Sequence, residues 1–303
     1  MVLSVIIVNW NTKDLTSQAI DSIYKYTKDV ESEVILVDNA STDKSVEVIR
    51  KKFPKVKIIE NRQNVGFGNA NNQGMKIAKG DYFFLFNSDA YLIENSFKKL
   101  IDHAKDLPDL GLLGPLLLNE NRTIQQSVGF FPNLPQVFWW MSFIDDLPGG
   151  TRLKPYHVDH DSFYKEEQKV DWITGAGMFL PKAVFQKIGG FDKNIFMYGE
   201  DWEWCYRVKK VGYQVYFSPV TKMVHIGQGS SNKIPINAFI GEYKAIIFFY
   251  KKYKSNLSLQ IVRLLLKIGA LARVVIFGTL GVILNQPRRK ELAKYYGEVY
   301  KVA

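Results

Sequence analysis

Short apolar runs alternate with amphipathic stretches through the first ninety residues. Leu3–Val8, Glu33–Val37, Val56–Ile59 and Tyr82–Phe86 read as strands. The run Phe83-Phe84-Leu85-Phe86 has no polar position, as expected of a strand buried on both faces. Between the strands the period changes. Leu15, Ala19, Ile20 and Ile23 predict a helix over 14–26, and Val46, Val48, Ile49 and Phe53 predict a second, with Asp43 placed to cap it. Residues 61–72 form a Gly/Asn-rich loop running into a third helix that ends near Gly80. This β-α-β-α-β-α-β order calls for an α/β fold, a mostly parallel sheet with helices on both faces.

Residues 119–170 are less regular. They hold Phe138-Trp139-Trp140, several prolines and the Gly149-Gly150 pair, and read as a long excursion on one side of the sheet. Regularity returns at Trp172–Leu180, followed by a short helix from Pro181, a loop into Gly199-Glu200-Asp201, a helix through Val211 and a strand at Gln214–Phe217. From about Ile240 the pattern is helical. Its longest uncharged apolar run, Val274–Leu284, has eleven residues, whereas a membrane-spanning helix needs roughly 18. At 100° per residue Asn256, Gln260, Arg263, Lys267 and Arg273 group on one side. That pattern suits a helix lying in a membrane interface with its cations toward anionic headgroups. The competing reading is a C-terminal helix packed on the domain with a solvated basic face. The expected organisation is a domain over 1–240, with a nucleotide-binding half (1–90) and an acceptor and catalytic-base half (91–240), and a basic amphipathic tail over 241–303.

Charge sharpens this division. The 303 residues carry a net charge of +10, and residues 251–303 hold eleven Lys or Arg against two Glu. The rest of the chain is nearly balanced, so it lacks the broad basic surface that nucleic-acid binding needs. Cys205 is the only cysteine, which forbids an intrachain disulfide and fits a reducing compartment. The N-terminus passes into the first strand without a basic n-region or a small-residue cleavage site, and reads as part of the fold.

Three polar loops follow three strands: Val8-Asn9-Trp10-Asn11, Asp38-Asn39-Ala40-Ser41 and Asn87-Ser88-Asp89. Each alone is an ordinary turn or cap. In a parallel sheet all three lie on one edge, where ligands of open α/β sheets bind. Asp89 can hold a hard divalent cation that also holds a diphosphate. Asp38 can accept a hydrogen bond from the N3–H of uracil or thymine, or else bond the amides of its own loop. The stretch Asn64-Val65-Gly66-Phe67-Gly68-Asn69-Ala70-Asn71-Asn72 could bring backbone amides close to a nucleotide. Its glycine spacing fits neither a dinucleotide fingerprint nor a Walker loop. Glu200 and Asp201 open a helix, where the dipole favours acids and where a general base could face an acceptor hydroxyl. His225 follows the last strand pattern and could supply nitrogen to a metal held by Asp89. Trp202 and Trp204 could wall a sugar or lipid acceptor or fill core.

In order and spacing these segments, with Trp172-Ile173-Thr174-Gly175-Ala176 and Gly229-Ser230-Ser231, resemble the family 2 glycosyltransferases of the GT-A fold, rhamnosyltransferase-like subgroup. The resemblance covers residues 3 to about 230. It implies inverting transfer of a sugar from a nucleoside diphosphate donor. Carried over, Asp38 reads the base, and Val8, Asn9, Asn39, Asn64, Gly66, Phe67, Asn71, Ser88 and Asp89 line the donor site. Asp89 and His225 hold Mg2+ or Mn2+, Asp201 beside Glu200 is the catalytic base, and Trp172, Gly175 and Trp202 face the acceptor. One departure stands out: the first Asp of the family's Asp-x-Asp metal motif is Asn87 here, leaving a single carboxylate in the motif. The subgroup points to L-rhamnose from dTDP-rhamnose, with UDP-linked galactofuranose, glucose or N-acetylglucosamine as alternatives. The expected acceptor is a polyprenyl-diphosphate-linked saccharide, met at the cytoplasmic face of the cell membrane during cell-surface polysaccharide synthesis. A non-catalytic nucleotide-sugar-binding membrane module is the rival reading.

Overall fold

A computed structural model describes residues 2–144, 154–227 and 236–303. The chain divides into two compact units, residues 1–129 with 157–233, and residues 130–156 with 234–303. In chain order the elements are β1 (Leu3–Asn9), α1 (Lys13–Tyr26), β2 (Ser32–Asp38), α2 (Ser45–Lys52), β3 (Lys57–Glu60), α3 (Phe67–Ile77), β4 (Tyr82–Asn87), β5 (Ala90–Leu92), α4 (Ser96–Ala104), β6 (Leu110–Leu118) and β7 (Val128–Gly129). Then come α5 (Leu134–Met141), β8 (Gln168–Val170), β9 (Trp172–Ile173), β10 (Gly177–Pro181), α6 (Lys182–Ile188), α7 (Glu200–Lys210), β11 (Gln214–His225), α8 (Ile236–Tyr253), α9 (Asn256–Ile283) and α10 (Pro287–Val302).

The first unit is built on a sheet of order β3-β2-β1-β4-β10-β6-β11-β5, with β8 also paired to β11. β1 to β4 are parallel, β10 runs antiparallel to β4 and β6, and β6 is parallel to β11. Apolar side chains from both faces fill the core, with Phe84, Phe86 and Phe97 in mutual ring contact. The expected mostly parallel α/β sheet with flanking helices is therefore present. Two features differ from the sequence reading. The last strand is not the four residues Gln214–Phe217 but twelve, running to His225. The stretch after β4 also contains β5 and the nine-residue β6, which local periodicity did not single out.

Register sets the functional edge. Asn9 pairs with Asp38 across β1 and β2, and Val8 pairs with Asn87 across β1 and β4. The carboxyl ends of three strands are thus level. β4 stops at Asn87, the chain turns through Ser88-Asp89, and β5 pairs antiparallel with β11 so that Ala90 faces His225. Because β10 opposes β4 in direction, its first residue, Gly177, pairs with Phe86 at the same edge. α3 packs close behind the edge, since a methyl group at Gly74 would overlap Ile6 Cγ2 and crowd Val37.

The second unit joins α5 to α8, α9 and α10. Ser255 caps α9 by accepting from the Ser258 amide. Tyr250 of α8 donates to the Pro132 carbonyl at 2.9 Å, and Trp140 of α5 stacks on Tyr243 with ring centroids 5.1 Å apart. The sequence reading grouped Arg273 with outward-facing cations, but it is buried. Its guanidinium lies 3.9 Å from the Phe143 ring centroid and donates to the carbonyls of Trp140 and Met141. Those carbonyls belong to the last turn of α5, where helices leave acceptor capacity unused, so the buried charge is met by backbone oxygens. Gly269 lets α9 approach α5, where a methyl group would meet Met141 at 2.6 Å. Among the described residues no helix is long and apolar enough to cross a membrane.

Gly74→Ala should test the tight seating of α3 on β1. Overpacking of this kind costs about 1–3 kcal/mol, and the expected result is a lower urea midpoint at unchanged slope.

Candidate active site

The site begins with a buried amide. Asn9 Nδ2 donates to Asp38 Oδ1 at 2.6 Å and to Ser41 Oγ at 2.9 Å. Asn9 Oδ1 accepts from the Thr12 hydroxyl at 2.8 Å and the Thr16 hydroxyl at 2.7 Å. Thr12 Oγ1 also lies 2.9 Å from Ser88 Oγ, which ties the turn after β4 to the loop after β1. Asp38 Oδ2 accepts the Ser41 amide at 2.9 Å, so Asp38 does bond its own loop. A carboxylate has about four acceptor positions, and two of these remain for a ligand.

The Gly/Asn loop is fastened to the same edge. Asn39 Nδ2 donates to the Gly66 carbonyl at 3.3 Å, and Asn61 Nδ2 donates to Asn39 Oδ1 at 3.0 Å. Asn64 Oδ1 accepts the Gly66 amide at 2.9 Å, and Asn71 Nδ2 donates to the Phe67 carbonyl at 3.1 Å. The sequence reading assigned the loop glycines to close approach by a nucleotide. The structure gives them a contact within the protein. Gly66 adopts φ +86° with the Phe196 carbonyl where a Cβ would stand, and a Cβ at Gly68 would lie 2.8 Å from Phe191. Phe67 faces Gly175 across a gap that a Cβ at 175 would close to 2.8 Å.

Asp89 and His225, 136 positions apart, meet where β5 pairs with β11. His225 Nε2 lies 3.2 Å from Asp89 Oδ1 and 3.1 Å from Asn87 Nδ2. Its other nitrogen, Nδ1, lies 2.6 Å from Gln125 Oε1. Gln125 Nε2 donates to Asn119 Oδ1 and to the His225 carbonyl, both at 3.0 Å. That orients the Gln125 amide with its oxygen toward Nδ1, so Nδ1 carries a hydrogen, and in the neutral ring Nε2 presents its lone pair beside Asp89. An imidazole lone pair next to a carboxylate is a donor set suited to a divalent cation. Among the described residues no group of three or more His, Cys, Asp or Glu could hold a metal, so further ligands would have to come from elsewhere, as the Asn87 departure implied.

Tyr198 and Gly199, at φ +66° and +100°, turn the chain sharply into α7. Asp201 sits in its first turn. Its Oδ2 accepts the Gly175 amide at 3.2 Å and its Oδ1 accepts the Trp202 amide at 2.8 Å. Glu200 is wholly enclosed, and its Oε2 has no hydrogen-bond partner among the described residues. Burial, reinforced by the Asp201 charge, pushes its carboxyl up to about 8, so it is protonated at neutral pH. The tryptophans are inside: Trp172 is 7% exposed, Trp202 3%, and Trp204 is fully buried with its indole N–H donating to the Gly189 carbonyl. Burial also raises the Cys205 thiol, which makes it unreactive.

The predicted residues therefore form a connected set. Asn9, Asp38 and Ser88 share one network, Asn39 links it to Gly66, Gly68 neighbours Glu200, and Phe67 faces Gly175, which holds Asp201. Residues 229–231 lie outside the described residues. Sequence reasoning missed Gln125, Thr12, Thr16 and Ser41 as site residues. The last three were visible as hydroxyls in the polar loops or just beyond, whereas Gln125 carries no local signal.

A sheet of this order, with its polar loops at one edge, has the GT-A type of architecture. Residues 4–144 match the family profile "Glycosyl transferase family 2". A relative from Mycobacterium tuberculosis, N-acetylglucosaminyl-diphospho-decaprenol L-rhamnosyltransferase, is 25% identical over 237 residues, covering 71% of this chain and 73% of that protein. The dTDP-rhamnosyl transferase RfbF of Shigella flexneri is 25% identical over 217 residues, covering 69% and 67%. The mannosyltransferase PcManGT of Pyrobaculum calidifontis, solved with GDP-Man and Mn2+, shares the fold at TM-score 0.58 and 15% identity, over 99% of this chain and 85% of that one. Over residues 4–144 the chain carries the family 2 glycosyltransferase match, and over about 70% of its length it is similar to rhamnosyltransferases.

Glu200 predicts a pH dependence of stability. Its folded-state value lies above the ordinary 4.5, so folding takes up a proton between about pH 4.5 and 8. The stabilisation is complete below that window and falls as pH rises through it, by up to about 1.4 kcal/mol per pH unit. Urea unfolding of Glu200→Gln at pH 6 and pH 8 should show a flatter pH profile than the native chain.

Proposed function

We propose that this chain is an inverting, metal-assisted glycosyltransferase that moves L-rhamnose from dTDP-rhamnose onto a hydroxyl of a polyprenyl-diphosphate-linked saccharide. It works at the cytoplasmic face of the membrane in cell-surface polysaccharide synthesis. The observation that carries this reading is Asp201, a carboxylate pinned by the Gly175 amide in the contact network that reaches Asn9 and Asp38. The names of the mycobacterial and Shigella relatives support rhamnose as the sugar, and the former supports a lipid-linked acceptor.

In this mechanism Asp38 accepts from the N3–H of the pyrimidine base, and Asn9 holds that carboxylate in place. Asp201, held by the Gly175 and Trp202 amides, takes the proton of the acceptor hydroxyl. The deprotonated oxygen attacks the anomeric carbon from the face opposite the diphosphate, inverting the centre. Asp89 and His225 are the residues that would hold Mg2+ or Mn2+, which supplies positive charge for the departing diphosphate. Gln125 keeps the His225 lone pair aimed at that position.

Release of nucleoside diphosphate from a panel of dTDP- and UDP-linked sugars, with a polyprenyl-diphosphate-linked acceptor, tests the donor and acceptor together. dTDP-rhamnose should be the best donor; preference for a UDP-sugar would replace the rhamnose assignment. Asp201→Asn should lower turnover about 10²–10⁴-fold while donor affinity stays within about twofold, and full activity in that variant would sink the general-base role. Loss of an outer-shell partner typically costs about 10–100-fold in metal affinity. Gln125→Leu should therefore raise the Mn2+ concentration for half-maximal activity by about tenfold or more.

A further inference from the structure

α9 carries apolar residues on the side that faces solvent. Leu257, Leu264, Ile268, Leu271, Val275 and Val282 are each between 53% and 71% exposed. At 100° per residue they fall within an arc of about 60°, along about 38 Å of helix. The opposite side holds buried Leu266, Ala270 and Arg273. The helix is thus apolar on both sides, and the outward stripe has no cover within the described chain. An exposed apolar patch of this length marks an interaction surface.

Charge decides what covers it. Residues 243–290 contain ten Lys or Arg and no Asp or Glu. Lys251 and Lys252 stand exposed before the stripe begins, Arg288 and Lys290 stand exposed after it ends, and Lys267 is exposed along α9 itself. The stripe also has the seven-residue spacing of a coiled-coil seam, but a second copy would bring only like charges alongside it. An anionic bilayer satisfies both features, taking the apolar stripe below its headgroups and the cations among them.

We propose that the outward face of α9 lies in the plane of an anionic membrane surface, with the stripe from Leu257 to Val282 inserted and the flanking lysines and arginines on the headgroups. This deepens the membrane reading given above and rests on it. It differs from the sequence reading in one respect: Arg273 is a packing residue rather than a headgroup contact.

The test uses the full chain with vesicles of phosphatidylglycerol or of phosphatidylcholine. Native protein should co-sediment with the anionic vesicles, and about tenfold less with neutral ones. Leu264→Glu with Leu271→Glu should lower binding to anionic vesicles by about tenfold or more, with nucleotide-sugar affinity and the thermal melt unchanged. Leu264→Ser with Leu271→Ser serves if the glutamates disturb folding. Vesicle binding unchanged in these variants would overturn the proposal. So would a native dimer, seen by light scattering, that binds no vesicles and becomes monomeric in the variant, because the face would then belong to a second copy. The acceptor reading fails separately: a native chain that binds vesicles but transfers to no lipid-linked acceptor would remove that reading while supporting the role of α9.

Discussion

The carboxamide of Asn9 is the interaction on which the site depends. It sits at the end of β1, fully buried, and joins Asp38 and Ser41 after β2 to Thr12 and Thr16 at the start of α1. Removing it would strand buried groups on both sides, and each unsatisfied buried donor or acceptor costs about 1–3 kcal/mol. No apolar side chain can replace an amide that donates twice and accepts twice. Asp38 is therefore oriented before any ligand arrives, and a ligand that bonds it would cost less conformational entropy.

A second constraint comes from the break in β4. Had the strand continued past Asn87, Asp89 would have remained in the ladder. Instead the chain turns through Ser88-Asp89 and β5 pairs with β11, which delivers His225 to the same turn. The Ile226 amide donates to the Asp89 carbonyl at 2.9 Å, so the pairing is fixed by backbone as well as side chain. A donor set made from residues 136 positions apart is thus a consequence of strand topology, and the Gln125 amide adds the tautomer.

Much of this was legible in the sequence because the first ninety residues fold by local pattern. Strand runs, helical spacing and the polar loops after each strand fell where the structure has them, and parallel pairing then put Asn9, Asp38 and Asp89 on one edge. What was not legible depends on distant contacts. Gln125 acts only through its partners in β11 and at Asn119. Gly66 and Gly68 look like a ligand-approach loop, yet their missing side chains make room for Phe196 and Phe191. Arg273 looks like a solvated cation on a helical wheel, because a wheel does not reveal that the carbonyls ending α5 lie against that side.

The two carboxyl groups that open α7 raise an electrostatic problem that burial resolves. Two adjacent carboxylates repel each other, and they would also repel any anionic ligand brought between them. Glu200 is enclosed, close to Gly68 at the start of α3, and its carboxyl stays protonated at neutral pH. Only Asp201 then presents a carboxylate, and the Gly175 and Trp202 amides hold it. The cost of burying Glu200 as a neutral acid is far smaller than that of burying it charged. The sharp turn at Tyr198-Gly199 thus leads into a first turn in which Glu200 is buried, Glu203 is paired with Arg207, and Asp201 is held at the Gly175 amide.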